Sequence, residues 1–324
     1  MALVQTVLGP VPSEELGRIL PHEHVIGAYG RGLPRDFRFE SLPQELILQQ
    51  HLPLVRDLIG KYDCRTLVEV SPWGLRSAAD LETCAELSRQ TGVNIVAATG
   101  YYYSARRPPN FHELETAELA EGMIREISEG IEGTGVRAGI IKIAVSDMGP
   151  DDIKLCKAAA LAQRESGLSI TTHAGSPEAR RSILDLLEGA GVDPSRICLG
   201  HADANATLIE ILSLLRRGCN VLFTIWGIQN PRLIGWGLPV LPKYHSAGLS
   251  AGIVAEGYGG QLLASIDYAA GLESPYYEVE GRDYRYMFTH VVDALRMFGV
   301  SDSDIERMLR DNPRRMLEPV GSRP

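Results

Sequence analysis

The sequence predicts an α/β protein built as a (β/α)8 barrel, with residues 1–324 in one domain. Three observations support this prediction. Short apolar runs rich in β-branched residues alternate with longer amphipathic segments, which is typical of a parallel sheet covered by helices. There are eight such runs, the number that closes a parallel barrel. Barrels of this kind often reach this length as a single domain.

The runs give the bounds of the predicted elements. The strands are Gly17–His24, Arg65–Val70, Val93–Gly100, Ala138–Ala144, Leu168–His173, Arg196–His201, Asn220–Ile225 and Leu262–Asp267. The helices are Pro43–Tyr62, Ser77–Gln90, Leu114–Ser128, Asp151–Ser166, Pro177–Gly189, Ala206–Arg217, Asp283–Phe298 and Asp302–Leu317. Two connections are long, Trp226–Gly260 after the seventh strand and Tyr268–Arg282 after the eighth. Long loops at this end of a barrel usually shape an active site.

Composition and charge exclude several classes of protein. The chain is 44% hydrophobic and 23% charged, with a net charge of −9, so it lacks the basic stripe that nucleic-acid binding needs. No apolar stretch approaches the ~18 residues of a membrane span, and no secretory signal opens the sequence. Its five scattered cysteines are expected to be reduced thiols in the core. We therefore expect a cytoplasmic homodimer that acts on a small molecule.

Metal-ligating residue types fall where the predicted strands end. The first strand ends in His22-Glu23-His24, and alternation points both imidazoles to one side and Glu23 to the other. Later strands supply Lys142, His173, His201 and Asp267. One histidine alone would more often be an ordinary core residue. Because all these strand ends meet at one mouth of a barrel, the joint pattern predicts a metal site for zinc, manganese, cobalt or iron.

Lys142 lies within an apolar strand, where an ammonium group would be costly to bury. An ion pair with a carboxylate is one solution. The other is a neutral amine that captures carbon dioxide, because the resulting carbamate anion could bridge two metals.

Five segments together resemble the phosphotriesterase family of the amidohydrolase superfamily. They are His22-x-His24, the strand Gly139–Ala144, Thr171–His173, Gly200-His201 and Asp267-Tyr268. The resemblance extends to both ends of the chain, through Gly9-Pro10 and Gly17–His24 and through Asp311–Leu317.

The resemblance implies a centre of two divalent metals, zinc above all. In this family pattern His22, His24 and Asp267 hold the buried metal, and His173 and His201 hold the more exposed one.

The family pattern also implies a mechanism. A carboxylated Lys142 and a hydroxide bridge the two metals, and the hydroxide attacks the substrate. Asp267 takes a proton and later delivers it to the leaving group.

Departures from the family pattern bear on the substrate. The acyl-homoserine lactonases of the family carry an Asp-Arg-Tyr-like segment where this chain has Thr224-Ile225-Trp226. Ile225 also replaces the relay histidine of phosphotriesterases. Ala204 replaces their relay aspartate, although Asp203 lies next to it. We therefore expect hydrolysis of a carboxyl ester, above all a lactone, with phosphotriesters and N-acyl amides as alternatives.

Aromatic and cationic residues could line the substrate pocket. Tyr102 matches the pocket tyrosine of the lactonase branch, and Tyr101, Trp226 and Trp236 could extend an aromatic wall or simply pack the loops. Four loop cations could bind a substrate anion or simply be solvated: Arg106, Arg107, Arg232 and Lys243.

Two other interpretations remain open. Gly248–Gly252 matches the sequence pattern of a serine nucleophile elbow around Ser250, but no convincing strand precedes it. A barrel that binds metal without catalysis is the second. His51 and His112 lie on or beside predicted helices and are expected at the surface.

Overall fold

The computed structural model describes residues 2–26, 43–174, 176–228, 242–269 and 282–321. Its centre is a sheet of eight parallel strands that follow one another around the sheet in chain order. An antiparallel hairpin precedes them, formed by β1 (Leu3–Thr6) and β2 (Gly9–Pro12). The parallel strands are β3 (Arg18–Glu23), β4 (Cys64–Glu69), β5 (Asn94–Tyr101), β6 (Ile140–Ala144), β7 (Ile170–His173), β8 (Ile197–Gly200), β9 (Asn220–Phe223) and β10 (Leu262–Ala264).

Helices separate the strands and confirm the predicted barrel. They are α1 (Gln44–Tyr62), α2 (Ala78–Thr91), α3 (Thr116–Ser128), α4 (Pro150–Ser166), α5 (Pro177–Gly189), α6 (Leu208–Leu215), α7 (Pro242–Ala255), α8 (Val292–Met297), α9 (Asp302–Glu306) and α10 (Asn312–Leu317). π-helical turns at Met287–Val291 and Arg307–Asp311 lead into α8 and α10. No helix in the described ranges is both long and apolar enough to cross a membrane.

The first and last barrel strands meet just beyond β10. The His24 amide donates to the Tyr268 carbonyl at 2.8 Å, and His24 forms a parallel bridge with Ala269. A single bridge therefore joins the two strands here, between the candidate ligand His24 and the residues that follow the candidate ligand Asp267.

Apolar side chains from successive strands fill the interior of the barrel. This inner layer includes Ile19, Val68, Val96, Ile140, Cys198, Leu222 and Leu263. Alternation along β6 turns Lys142 to the same side as Ile140, one layer closer to the mouth. All five cysteines are buried and unpaired, as the sequence predicted.

The interpretation of 226–260 as a continuous loop was wrong, because it contains α7. Glycine and serine lower the helix propensity of this segment and hide its helical pattern. The glycines serve packing instead. A Cβ atom on Gly252 would lie 2.6 Å from the Leu208 side chain, and one on Gly248 would lie 3.3 Å from the Phe298 ring. Helix α7 therefore packs closely against α6 and against the end of α8.

The surface position expected for His51 was also wrong. His51 is completely buried on the inner face of α1, with Nδ1 3.1 Å from the Tyr284 hydroxyl. Burial lowers the pKa of His51 to about 4, so the imidazole is neutral. His112 is exposed, as expected.

Three buried arginines join the loops that leave neighbouring strands. Each donates to backbone carbonyls on two strand ends, which satisfies acceptors that no ladder reaches. Arg107 binds the carbonyls of Tyr102 and Ala144, Arg180 those of Ala174 and His201, and Arg282 those of Trp226 and Ile266. Arg107 also pairs with Asp152, so it is a structural residue rather than a free cation for a substrate.

We predict that Arg180→Ala destabilises the fold far more than Arg181→Ala. Arg180 is buried, and its loss removes the side-chain donor to the carbonyls of Ala174 and Ala204 and one of two donors to the His201 carbonyl. Unsatisfied groups of this kind cost about 3 kcal/mol together. The Arg181 side chain is 45% exposed and, among the described residues, pairs with Glu178 alone, so its loss should stay within about 0.5 kcal/mol. Urea unfolding measures both values, and equal losses would contradict the prediction.

Candidate metal centre

The ends of the first and last barrel strands, β3 and β10, bring three candidate ligands together. Nitrogen or oxygen atoms of His22, His24 and Asp267 all lie within 4.8 Å of one another. The Asp267 Oδ1 atom lies 3.3 Å from His24 Nε2 and 3.7 Å from His22 Nε2. Two imidazoles and one carboxylate at this spacing could hold a metal ion.

The other candidate ligands lie beside this group. Lys142 Nζ is 3.3 Å from His22 Nε2. The ring of His201 is 4.8 Å from that of His22 and 4.3 Å from that of His173, measured between centroids. The structure therefore brings together the four histidines, the lysine and the aspartate that the sequence singled out.

Two of these residues adopt an uncommon backbone conformation. His201 has a φ of +53° and Asp267 a φ of +52°, in the left-handed region that most side chains avoid. Each stands just past the end of its strand, where the chain turns into a loop. Such strain persists only where surrounding contacts hold it, and it is common at functional sites.

Burial controls the charge of the candidate ligands. It lowers the pKa of His22 and His173 well below the usual range and that of His201 to about 4, with nearby positive groups adding to the effect for His22 and His173. Burial alone would raise the pKa of Asp267, but its close contact with His24 and the neighbouring imidazoles hold it well below its usual range. Neutral imidazoles and an ionised carboxylate are the forms that bind metals.

Lys142 is completely buried, and burial lowers its pKa to about 7. No carboxylate among the described residues lies within ion-pair distance of its Nζ atom. The ion-pair interpretation of Lys142 therefore has no support in the described part of the chain. A neutral amine beside the histidines is the form that can react with carbon dioxide.

Hydroxyl groups orient two of the imidazoles, which sequence reasoning missed. His24 Nδ1 lies 2.8 Å from Ser71 Oγ, and His201 Nδ1 lies 2.5 Å from Thr224 Oγ1. When Nδ1 donates to a hydroxyl, Nε2 keeps its lone pair for a metal. Indeed, His201 Nε2 is buried without a hydrogen-bond partner among the described residues. This nitrogen and oxygen donor set fits zinc, manganese, cobalt or iron.

Carboxylates in turn bind the backbone amides of the two residues that carry these hydroxyls. Glu69 accepts the Ser71 amide, and Asp203 accepts the Thr224 amide. Asp203 also accepts the Ile225 amide at 3.2 Å and the Ser246 hydroxyl at 2.8 Å, and it is completely buried. These contacts give Asp203 a structural role at the ends of β8 and β9.

The aromatic residues expected around the substrate divide into two groups. The Tyr102 hydroxyl lies 3.3 Å from His173 Nδ1, at the candidate metal centre. Tyr101 points away from the barrel interior, packs against Phe111 and lines a separate cavity of about 330 Å3. Trp226 is completely buried in the core, with Nε1 donating to the Phe223 carbonyl.

The expectations for Tyr101 and Trp226 as wall residues were therefore wrong. Neighbouring residues on a strand face opposite sides, so Tyr101 and Tyr102 cannot both face the mouth. Trp236 and Arg232 lie outside the described residues.

The serine-hydrolase interpretation also fails on geometry. Ser250 lies inside α7, completely buried, and its hydroxyl donates to the Ser246 carbonyl at 2.8 Å. A nucleophile elbow needs a sharp turn between a strand and a helix, which this position lacks.

Known proteins match this chain over most of its length. The model of the phosphotriesterase family matches residues 2–317. The phosphotriesterase homology protein of Escherichia coli K12 is 32% identical over 72% of this chain and 77% of its own. The N-acetyltaurine hydrolase of Salmo salar is 27% identical, with 97% of each chain covered. A solved triple mutant of organophosphorus hydrolase from Deinococcus radiodurans has a TM-score of 0.84 and 30% identity, covering 98% of this chain and 97% of its own.

We predict that Ser71→Ala and Thr224→Val each weaken zinc binding by about 10- to 100-fold, because each leaves an imidazole without its orienting partner. Equilibrium competition with a chelator measures the affinity. Ser250→Ala is the matched control. Its buried hydroxyl donates to the Ser246 carbonyl within α7, so zinc affinity should not change. Wild-type affinity in both Ser71→Ala and Thr224→Val would contradict the orienting role.

Proposed function

Because the chain belongs to the phosphotriesterase family and is a metal-dependent hydrolase, we propose that it hydrolyses carboxyl esters, and lactones in particular, at a centre of two divalent metals. One metal is held by His22, His24 and Asp267. The other is held by His173 and His201. The distances among these side chains support the assignment.

Lys142 is proposed to bridge the two metals as a carbamate. Its Nζ atom lies beside His22, in a buried position without a carboxylate partner among the described residues. A carbamate adds a negative charge that neutral imidazoles cannot provide. Zinc is the proposed metal, and manganese, cobalt and iron suit the same ligands.

When bound, two divalent metals supply a hydroxide nucleophile at neutral pH and polarise the substrate oxygen. The protein contributes a proton acceptor at Asp267. Its Oδ1 atom faces the Nε2 atoms of His22 and His24, whereas Oδ2 turns toward His201, 3.9 Å from Nδ1. Oδ2 is therefore the atom proposed to take the proton and return it to the leaving group. In a lactone the leaving alkoxide stays tethered close to that proton.

The choice of lactones rests on the two positions where phosphotriesterases have their proton-relay aspartate and histidine. Asp203 is buried and bound to two backbone amides and to Ser246, so both of its oxygens already accept hydrogen bonds. Ile225 occupies the position of the relay histidine. The Tyr102 hydroxyl, beside His173, is retained where the lactonase branch has its pocket tyrosine.

A second candidate function is hydrolysis of an N-acyl amide. It is favoured by relatives named N-acetyltaurine hydrolase, which match this chain over 97% of its length. The same proposed centre could perform that reaction, because an amide carbonyl also gains negative charge during attack.

We predict two divalent metals per chain after growth with zinc and bicarbonate. Lys142→Ala should bind about one or none, because the bridging anion is gone, and short carboxylic acids should restore part of the activity. Elemental analysis measures the stoichiometry. Lys157→Ala is a control for the loss of a lysine on α4, away from the strand ends, and should keep both metals. Two metals and full activity in Lys142→Ala would refute the carbamate.

We predict that a lactone gives the highest kcat/KM in a panel. The panel contains γ- and δ-lactones, sugar lactones, acyl-homoserine lactones, aryl esters, N-acetyltaurine and other N-acyl amino acids, and a paraoxon-like triester. A triester ahead by tenfold or more would show that the missing relay is no obstacle and that the protein is a phosphotriesterase. Turnover of the amides alone would establish the second candidate function.

A further inference from the structure

We propose that Glu23 is a positioning residue that holds Asp267 in place for metal binding and proton transfer. This inference rests on the role proposed for Asp267. Glu23 lies between His22 and His24 but faces the opposite side of β3, away from the candidate metals. It is completely buried.

The Glu23 carboxylate holds the backbone on both sides of Asp267. Its Oε1 atom accepts the Ile266 amide at 3.1 Å, and its Oε2 atom accepts the Tyr268 amide at 2.7 Å. The residue between these two amides is Asp267. Two fixed points, one on each side, determine the direction in which the Asp267 side chain leaves the backbone.

Asp267 needs such support because its own conformation is unfavourable. Strand β10 ends at Ala264, so no regular ladder reaches Asp267. Its φ of +52° is a conformation that costs energy for a non-glycine residue. The three contacts of Glu23 oppose relaxation of this loop and thereby keep Asp267 Oδ1 3.3 Å from His24 Nε2.

Ser265 extends the same support to the other side of the seam. Its hydroxyl donates to Glu23 Oε1 at 2.6 Å and accepts the His22 amide at 3.0 Å. One chain of hydrogen bonds therefore joins His22, Glu23 and the loop that carries Asp267. These hydrogen bonds fix the position of the candidate ligands on β3 relative to the one that follows β10.

Only a carboxylate provides the required acceptors. Glu23 receives one hydroxyl and two amide donors on two oxygens, and no cation pairs with it among the described residues. Burial without a cation raises the pKa of Glu23 to about 8, even though the three donors favour the ionised form that accepts all of them. Glutamine has nearly the same shape but a single acceptor oxygen, so it can hold only one side of Asp267. Glu23→Gln is thus a precise probe of the proposed role.

The test is a double-mutant cycle in zinc affinity, measured by chelator competition on the full chain. Glu23→Gln should weaken the tighter zinc by about 10- to 100-fold, as loss of outer support around a metal ligand does. In an Asp267→Ala background the same substitution should change the affinity by less than about threefold, because the ligand it positions is gone. Wild-type affinity in Glu23→Gln, or an equal loss in both backgrounds, would overturn the inference.

Asp152→Asn is the matched control. Asp152 is also a buried carboxylate that accepts three backbone amides, those of Ser146, Asp147 and Met148. It differs from Glu23 in pairing with Arg107, and it holds a loop without candidate ligands. It should lose stability and keep its zinc affinity. If Glu23→Gln does not fold, Ser265→Ala removes one link of the same chain and should weaken zinc several-fold, and wild-type affinity there overturns the inference.

The double-mutant cycle needs no substrate, so its result could still be interpreted if the protein proved not to be a lactonase. A failure of the metal assignment would appear separately, as wild-type zinc affinity in Asp267→Ala. A loss in Asp267→Ala without a loss in Glu23→Gln would overturn only the role of Glu23.

Discussion

Buried charged side chains that bond the backbone of neighbouring strands hold the mouth of this barrel. Arginines or carboxylates make such bridges at six junctions between neighbouring strand ends, through Glu69, Arg107, Arg180, Asp203, Arg282 and Glu23. The regular ladders stop short of the loops, so amides and carbonyls at the mouth would otherwise be buried without partners. Hydrogen bonds to the backbone and to neighbouring side chains offset the cost of burying these groups.

The candidate metal centre depends on some of these bridges as well as on the ligands themselves. His201 and Asp267 carry strained backbones, and each lies beside a bridge, Arg180 for one and Glu23 for the other. Close approach of the strands adds to this. A Cβ atom on Gly100 would lie 2.0 Å from the Lys142 carbonyl, so only glycine lets β5 and β6 meet at the lysine.

Burial lowers the pKa of the basic ligands and would raise the pKa of the acidic one, Asp267. The charges that result are those that metal binding needs. It keeps the imidazoles of His22, His173 and His201 neutral and makes the Lys142 amine easier to deprotonate. Asp267 stays ionised because its neighbours outweigh the cost of burial. The hydroxyls of Ser71 and Thr224 then select which imidazole nitrogen faces inward. Charge and orientation are thus both set by the protein.

The sequence by itself determined the barrel and the six candidate ligands. Period-two and helical patterns are local, and the ends of parallel strands must converge, so these patterns alone are enough to place His22, Lys142 and Asp267 together. The tertiary structure alone decided which side chains support them. Whether His51 is buried, whether Tyr101 faces the mouth, and whether Arg107, Asp203 and Glu23 bind backbone all depend on contacts between residues far apart in the chain. Such contacts leave no local periodic signal, because a carboxylate or an arginine can bind the backbone of a neighbouring strand however far apart the two are in sequence.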